Sequence, residues 1–439
     1  MRNKSSLILI GCGIHYQEKY HDLLERNQIE ISWVIDCEIG KEKVLSFFEN
    51  KTLKPKNFFF LSDVERIHFN EKIVEKIFSY FTTLKEKTIL LSTEPSNRKY
   101  YLAEAAKQGF SVFMDKPVLA FSRKRDALNL QDDFLAIQKL LENKPLDWEV
   151  SCERRAHLGY LFLFDYLKTL RTKNELSLTS IDIHFAGGVL ETKKEYLNSL
   201  CHPFHMGYGV LLHSGYHYID LLEMFLSIKD FEAEQDDFQV FSSYPKDFLA
   251  EGENFKLEAH EELDPKAFGE VDFTLLGQLR GQGKKLNYSL QLYGTSISQR
   301  NEGVIKTKLP GRLRQERIIL HFGHLLSVHV ESLPFHKIDP KSYLLEDFNM
   351  TIFHHPSLKT KTPVLKMTRE NLSQIYEDLP LHASLNSFAR KWQLKEFIDG
   401  KPTHSSFDSH QATIFRLQKI YSYLYQKQMR SQESILVNR

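Results

Sequence analysis

Short, almost wholly apolar runs alternate with amphipathic stretches over the first 120 residues. Ser6–Ile10, Glu30–Ile35, Phe58–Leu61, Thr88–Leu91 and Phe110–Met114 read as strands. Glu18–Arg26, Lys41–Glu49, Glu71–Phe81 and Asn97–Gln108 read as helices, the last with Gly109 placed as a C-terminal stop. Apolar strands that alternate with helices predict a parallel sheet covered on both faces.

The pattern changes beyond about residue 145. Ile181, Ile183 and Phe185 alternate with Asp182 and His184; Leu286, Tyr288, Leu290 and Leu292 alternate with Asn287, Ser289 and Gln291; Val328 and Val330 alternate with His329 and Glu331. Period two predicts half-buried strands in an antiparallel sheet with one wetter face. Gly281-Gln282-Gly283 lies between two such runs and reads as a hairpin turn. A last long helix is expected over His410–Gln426, with Ile414, Leu417, Ile420, Tyr421 and Leu424 on one face. The acid-rich segment Asp230–Asp264 reads partly as a solvated insertion.

The chain of 439 residues is long enough for two or three domains. Its 58 Lys and Arg balance 57 Asp and Glu, so neither a nucleic-acid binder held by a basic surface nor a polybasic membrane protein is expected. No apolar run approaches the roughly 18 residues that span a bilayer. The start, MRNKSSLILIGCG, has too short an apolar core for a signal peptide. Four dispersed cysteines without a CxxC predict a reducing cytoplasm rather than a disulfide framework.

Leu7-Ile8-Leu9-Ile10-Gly11-Cys12-Gly13-Ile14-His15-Tyr16 ends the first strand and opens a helix. In a dinucleotide fold, Gly11 would make the tight turn and Gly13 would let the backbone, with Ile14, approach a diphosphate. The third glycine of that fingerprint is here Tyr16, a residue too bulky for the tightest helix–sheet packing. Asp36 closes the second strand, where a carboxylate accepts ribose hydroxyls and repels a 2′-phosphate. With no arginine beside it, NAD is expected over NADP.

Two further stretches are informative: Leu91-Ser92-Thr93-Glu94-Pro95 with Phe113-Met114-Asp115-Lys116-Pro117, and Gly209–Asp220, which contains His213, His217 and Asp220. With the glycine turn, they resemble the Gfo/Idh/MocA family of oxidoreductases, named for glucose–fructose oxidoreductase and inositol dehydrogenase. Asp115-Lys116-Pro117 matches the family's Glu-Lys-Pro motif, and His217 with Asp220 matches its helix motif of His three residues before Asp.

The resemblance implies an α/β fold: an N-terminal Rossmann domain (residues 1–145) with a doubly wound parallel sheet, then an α+β domain (146–439) with a large open, mostly antiparallel sheet. It implies NAD(P)-dependent hydride transfer at a hydroxyl or carbonyl carbon of a sugar, nucleotide sugar or cyclitol. It also implies a homo-oligomer, a dimer or tetramer. Ser92, Thr93, Pro95, Asp115 and Lys116 join the expected cofactor contacts.

The chemistry suits these residues independently. Oxidising a carbinol requires loss of the hydroxyl proton, so His217 is the expected acid/base. Lys116 would stabilise the developing alkoxide. Asp220 would hold the His217 ring in one tautomer. His213, His217, Asp220 and Met224 have the spacing of one helical stripe. His213 departs from the Asp that many members of the family carry at that place, and is expected to contact either substrate or the His217 ring.

The segment Cys201–Gly209 reads as a loop at the site mouth, with His205 and Tyr208 available for sugar hydroxyls. Cys201, His202, His205, His213 and His217 fit no standard zinc spacing, so no metal is expected. Arg154 and Arg155 follow what reads as the first strand of the second domain, and Arg155 or His157 is a candidate substrate contact. Gly311–Arg317 reads as a charged strand at a sheet edge. The competing functional class is a non-catalytic protein that senses dinucleotide and docks to a partner.

Overall fold

A computed structural model describes residues 5–121, 128–187, 208–244, 269–296, 315–332, 348–358, 360, 362–376, 379 and 385–437. The chain forms two compact units: Met1–Ala156 with Asn386–Ser422, and His157–Leu385 with Tyr423–Arg439. The first unit therefore runs past residue 145 and recruits a late segment that no local pattern announced.

The first unit holds a six-stranded parallel sheet of β1 (Ser6–Ile10), β2 (Glu30–Cys37), β3 (Asn57–Leu61), β4 (Thr88–Leu91), β5 (Ser111–Asp115) and β6 (Trp148–Ser151), in the order β3-β2-β1-β4-β5-β6. This is the doubly wound order, whose switch point falls between β1 and β4. The apolar runs mark buried strands: Leu7, Ile8, Leu9 and Ile10 are at most 2% exposed. The helix Arg98–Gln108 ends on Gly109, which takes φ +76° and donates its N–H to Ala105. Leu394, Phe397 and Ile398 from the late segment complete the core against Leu9, Leu90 and Phe113.

Three expectations change in this unit. The helix expected over Glu18–Arg26 is two short helices, Ile14–Lys19 and His21–Arg26, broken at Tyr20. Tyr16 turns inward: its ring is fully buried, its hydroxyl meets His21 Nδ1 at 2.9 Å, and it packs edge-on against Phe47. The strand before Arg154 is β6 of this sheet, paired with β5, rather than the first strand of the second domain.

The second unit holds an eight-stranded sheet of β7 (Ser180–Ala186), β8 (Gln235–Ser243), β9 (Asp272–Gly281), β10 (Lys284–Tyr293), β11 (Gln315–Phe322), β12 (Leu326–Ser332), β13 (Asn349–His354) and β14 (Val364–Thr368). Its order is β14-β13-β12-β11-β7-β10-β9-β8, and every pairing is antiparallel except β7 with β10. The alternation holds: Ile181, Ile183, Phe185, Leu290, Val328 and Val330 are buried, while their neighbours are not. Phe164 and Phe225 stack within the layer of helices Leu158–Lys173 and Tyr216–Leu226, and Tyr218 stacks on Phe185 of the sheet. Gln282 and Gly283 both take positive φ, +51° and +74°, as a two-residue hairpin turn requires. The final helix runs Gln411–Val437; its residues up to Ser422, including buried Ile414, Leu417 and Ile420, belong to the first unit.

Two charged segments contribute strands, and the second is not the edge strand expected of it. Part of Asp230–Asp264 is β8, an edge strand paired only with β9; residues 245–264 lie outside the described residues. Arg317 belongs to β11, an interior strand paired with both β7 and β12, and residues 311–314 lie outside the described residues. A charged strand reaches the interior of the sheet because buried Glu316 accepts the hydroxyls of Tyr160 and Tyr218.

Candidate functional site

The C-terminal ends of β1, β2, β4 and β5 converge on the glycine turn. Gly11 takes φ +90°, and a Cβ there would lie 2.4 Å from the Ser92 carbonyl oxygen. The turn therefore packs directly on the Ser92-Thr93 peptide, as only glycine permits. Main-chain bonds lock it: Gly11 N–H donates to Ile35 at 2.9 Å, and Ser92 N–H donates to Ile10 at 2.8 Å. Gly13 is the opposite case. A Cβ there would meet nothing within 4 Å, and Ile14 beside it is 72% exposed. One glycine is needed for packing inward, and the other faces open space.

Asp36, near the end of β2, accepts the Cys12 N–H on one carboxylate oxygen and its neighbour Cys37 N–H on the other, both at 2.7 Å. Burial pushes its carboxyl up, against these two bonds. Burial, then the nearby Asp36 charge, pushes the Cys12 thiol up to about 12. Cys12 is thus an inert packing residue between the glycines.

Asp115 ends β5 and is 9% exposed. It accepts the Tyr20 and Ser92 hydroxyls and lies 3.2 Å from His15 Nε2. Burial opposes its charge, but His15, Arg98 and the Ser92 hydroxyl together hold the carboxyl below its ordinary range. Arg98 is itself buried and grips the surrounding backbone. It donates to Thr93 O at 2.8 and 3.1 Å, and to the carbonyls of Asp115 and Pro117. Lys116 lies between those last two carbonyls, and its bond to Pro117 is cis. Burial, reinforced by Arg98 and Arg390 against the raising influence of Cys152 and Asp115, lowers the Lys116 amine to about 8. Pro95 opens a short 3-10 turn, Pro95–Asn97, that leads into the Arg98 helix.

The first unit thus brings together Gly11, Gly13, Ile14, Asp36, Ser92, Thr93 and Asp115, with Pro95 and Lys116 in the adjoining loops. His15 and Arg98 are the residues that local reading passed over. His15 lies inside the glycine motif, so its place was visible, but its partner Asp115 is remote in sequence. Arg155 is buried and donates to the Ser409 carbonyl at 2.7 Å.

In the second unit, the expected four-residue stripe is corrected at its start. The helix begins at Tyr216, and His213 lies in the preceding turn. That turn is built around Glu270, whose carboxylate accepts Leu211 N–H at 3.0 Å, and Gly215 N–H closes it on Val210 O at 2.7 Å. His217 and Asp220 do share a helix face at a spacing of three. His217 is partly exposed and Asp220 fully buried. Ile219, Leu222 and Phe225 fill the core as expected. Tyr208 is buried, and His157 packs against Phe348 and Tyr160. His205 lies outside the described residues. Among the described residues, no group of three or more His, Cys, Asp or Glu is placed to hold a metal ion, and no helix is long and apolar enough to cross a membrane.

No protein-family profile and no curated protein matches the chain. Solved structures do. The WlbA dehydrogenase from Bordetella pertussis, in complex with NADH and UDP-GlcNAcA, is 12% identical with a TM-score of 0.58, over 97% of this chain and 96% of that one. Levoglucosan dehydrogenase, in complex with NADH and levoglucosan, is 11% identical with a TM-score of 0.57, over 96% of each chain. Aldose-aldose oxidoreductase from Caulobacter crescentus, complexed with glycerol, is 13% identical with a TM-score of 0.54, over 97% of this chain and 98% of that one. A six-stranded parallel sheet in doubly wound order and an eight-stranded, mostly antiparallel sheet give this chain the fold of these dehydrogenases and oxidoreductases.

Proposed function

We propose that this protein is an NAD-dependent oxidoreductase that moves a hydride between the nicotinamide and a CH–OH carbon of a sugar, nucleotide sugar or cyclitol. One observation carries the reading. At the switch point of the sheet, a glycine turn that no Cβ could enter at Gly11 opens onto free space at Gly13, with the Asp36 carboxylate beside it. These residues fit a dinucleotide. Gly11, Gly13 and Ile14 would take the diphosphate, and Asp36 the adenosine ribose. Ser92, Thr93, Pro95 and Asp115 would line the nicotinamide side.

Bound NAD would supply the hydride acceptor. The chain's own residues would manage charge and protons. Lys116 would stabilise the alkoxide oxygen, and His217, oriented by Asp220, would take the hydroxyl proton. His213 would contact the substrate. Tyr16 does not stand against cofactor binding, because its ring is spent in the core.

The test is a fluorescence titration of the full chain with NADH and NADPH, followed by turnover assays with NAD on nucleotide sugars, aldoses and inositols. NADH should bind more tightly than NADPH. Asp36→Ala should weaken NADH by about tenfold, the worth of a charge-assisted hydrogen bond. Failure to bind either nucleotide would sink the reading. Tight NADH binding without turnover on the whole panel would point to the sensor instead.

A further inference from the structure

We propose that Arg98 is the positioning residue for Lys116: its guanidinium ties the carbonyls on both sides of Lys116 to the end of β4, and so fixes where the amine is presented. The inference rests on the oxidoreductase reading, in which Lys116 meets the reacting oxygen, and names the residue that holds it there.

The geometry lies within the first unit. The ladder between β4 and β5 ends at Leu91 with Met114. Ser92-Thr93 and Asp115-Lys116-Pro117 lie beyond it, where no further pairing of these two strands holds them. Arg98 is the first residue of its helix and is 2% exposed. Its Nε and Nη2 donate to the Thr93 carbonyl at 3.1 and 2.8 Å. Its Nη1 donates to the carbonyls of both Asp115 and Pro117. One nitrogen thus serves the peptides before and after Lys116, while the rest of the same planar group holds the neighbouring strand end. The Ser92 hydroxyl, donated to the Asp115 carboxylate, adds a second tie between the two segments.

Asp115 and Pro117 are buried, whereas Lys116 is only partly so. With its backbone fixed on either side, the amine is left with the freedom of its own side chain. A charge that must meet a developing oxyanion needs that preorganisation, because a misplacement of about 1 Å costs about a hundredfold in rate. A lysine at position 98 could not do the same, since its three donors radiate from one point and cannot span a planar fork.

A neutral amide could also satisfy buried carbonyls. The guanidinium does more, because it puts a permanent positive charge behind the amine. The groups that act on Lys116 are Cys152 after β6, Asp115 on β5, Arg98, and Arg390 of the helix Leu385–Ile398. Burial lowers the amine most, the two arginines push the same way, and Cys152 and Asp115 oppose them. Loss of the Arg98 charge therefore moves the Lys116 transition to higher pH.

The experiment follows acylation of Lys116 by acetic anhydride from about pH 6 to pH 11, read by peptide mass spectrometry on the folded full chain. Wild type, Arg98→Gln and Arg98→Lys are compared, with kcat measured on the sugar that wild type turns over. Acylation needs no substrate, and exposed lysines in the same digest are the internal control. The wild-type midpoint should lie near 8. Arg98→Gln should raise it by about one pH unit and lower kcat by about tenfold. Arg98→Lys keeps the charge, so its midpoint should move less, while the lost fork should lower kcat as far. A purely structural role would reduce stability to urea and leave the Lys116 midpoint and kcat where they are.

A wild-type midpoint equal to that of the exposed lysines, an unchanged midpoint in folded Arg98→Gln, or full kcat in folded Arg98→Lys overturns the proposal and leaves the oxidoreductase reading standing. Loss of the fold in both variants assigns Arg98 to the core and overturns it too. Absence of NADH binding by wild type overturns the oxidoreductase reading and this inference with it.

Discussion

Both units bury a strand carboxylate that collects two hydroxyls, and the two carboxylates do different work. In the second unit, Glu316 of β11 accepts from Tyr160 and Tyr218, whose rings are buried in the core. In the first unit, Asp115 of β5 accepts from Tyr20 and Ser92, but a half-exposed imidazole also leans on it. Glu316 ties the sheet to the helices that cover it. Asp115 sits at the C-terminal edge of a parallel sheet, next to a glycine turn with open space before it. Burial of a carboxylate is therefore a poor marker of a site. A solvent-facing titratable partner at the switch point of the sheet is a better one.

Four substitutions sharpen this contrast, and the largest effect belongs to Gly11. In Gly11→Val a side chain would enter the Ser92 carbonyl at a φ of +90°. NADH binding should disappear and stability should fall by about 3 kcal/mol, measurable by urea unfolding. Retained NADH affinity would mean that the turn is not the diphosphate site.

Lys116→Ala should lower turnover by about a hundredfold, the usual worth of a charge that meets a developing oxyanion, with little change in NADH affinity. The pH profile carries the sign. Lys116 is a cation below about pH 8, so wild-type turnover should decline as pH rises through that value. An undiminished rate in the variant would remove Lys116 from the chemistry.

Glu316→Gln has the smallest expected effect and is read beside Asp115→Asn. It should cost about 1–2 kcal/mol, because two buried tyrosine hydroxyls lose a charged acceptor. NADH affinity should not move, whereas Asp115→Asn, which removes a charge beside the glycine turn, should change it. Equal responses to the two substitutions would erase the distinction between them.

Much of the first unit was legible in the sequence, because its signals are local. Ser6–Ile10, Lys41–Glu49 and Thr88–Leu91 form where the apolar runs and helical periods placed them. Gly109 stops its helix in the left-handed conformation for a reason carried by that residue alone. His213 was misread for the opposite reason. Its spacing to His217 is helical, but the Glu270 carboxylate captures Leu211 N–H and holds the preceding residues in a turn. Glu270 lies far along the chain, and no window around His213 contains it.

The sequence by itself determined the two sheet types, the glycine turn and the positions of Asp36, Asp115 and Lys116, since apolar period and turn chemistry act between near neighbours. Only the tertiary structure decided that Tyr16 turns into the core, that β11 runs inside its sheet, that Asn386–Ser422 completes the first unit, and that His15 rests on Asp115. Each of these depends on which distant group supplies the missing hydrogen bond, apolar face or opposite charge, and packing alone makes that choice.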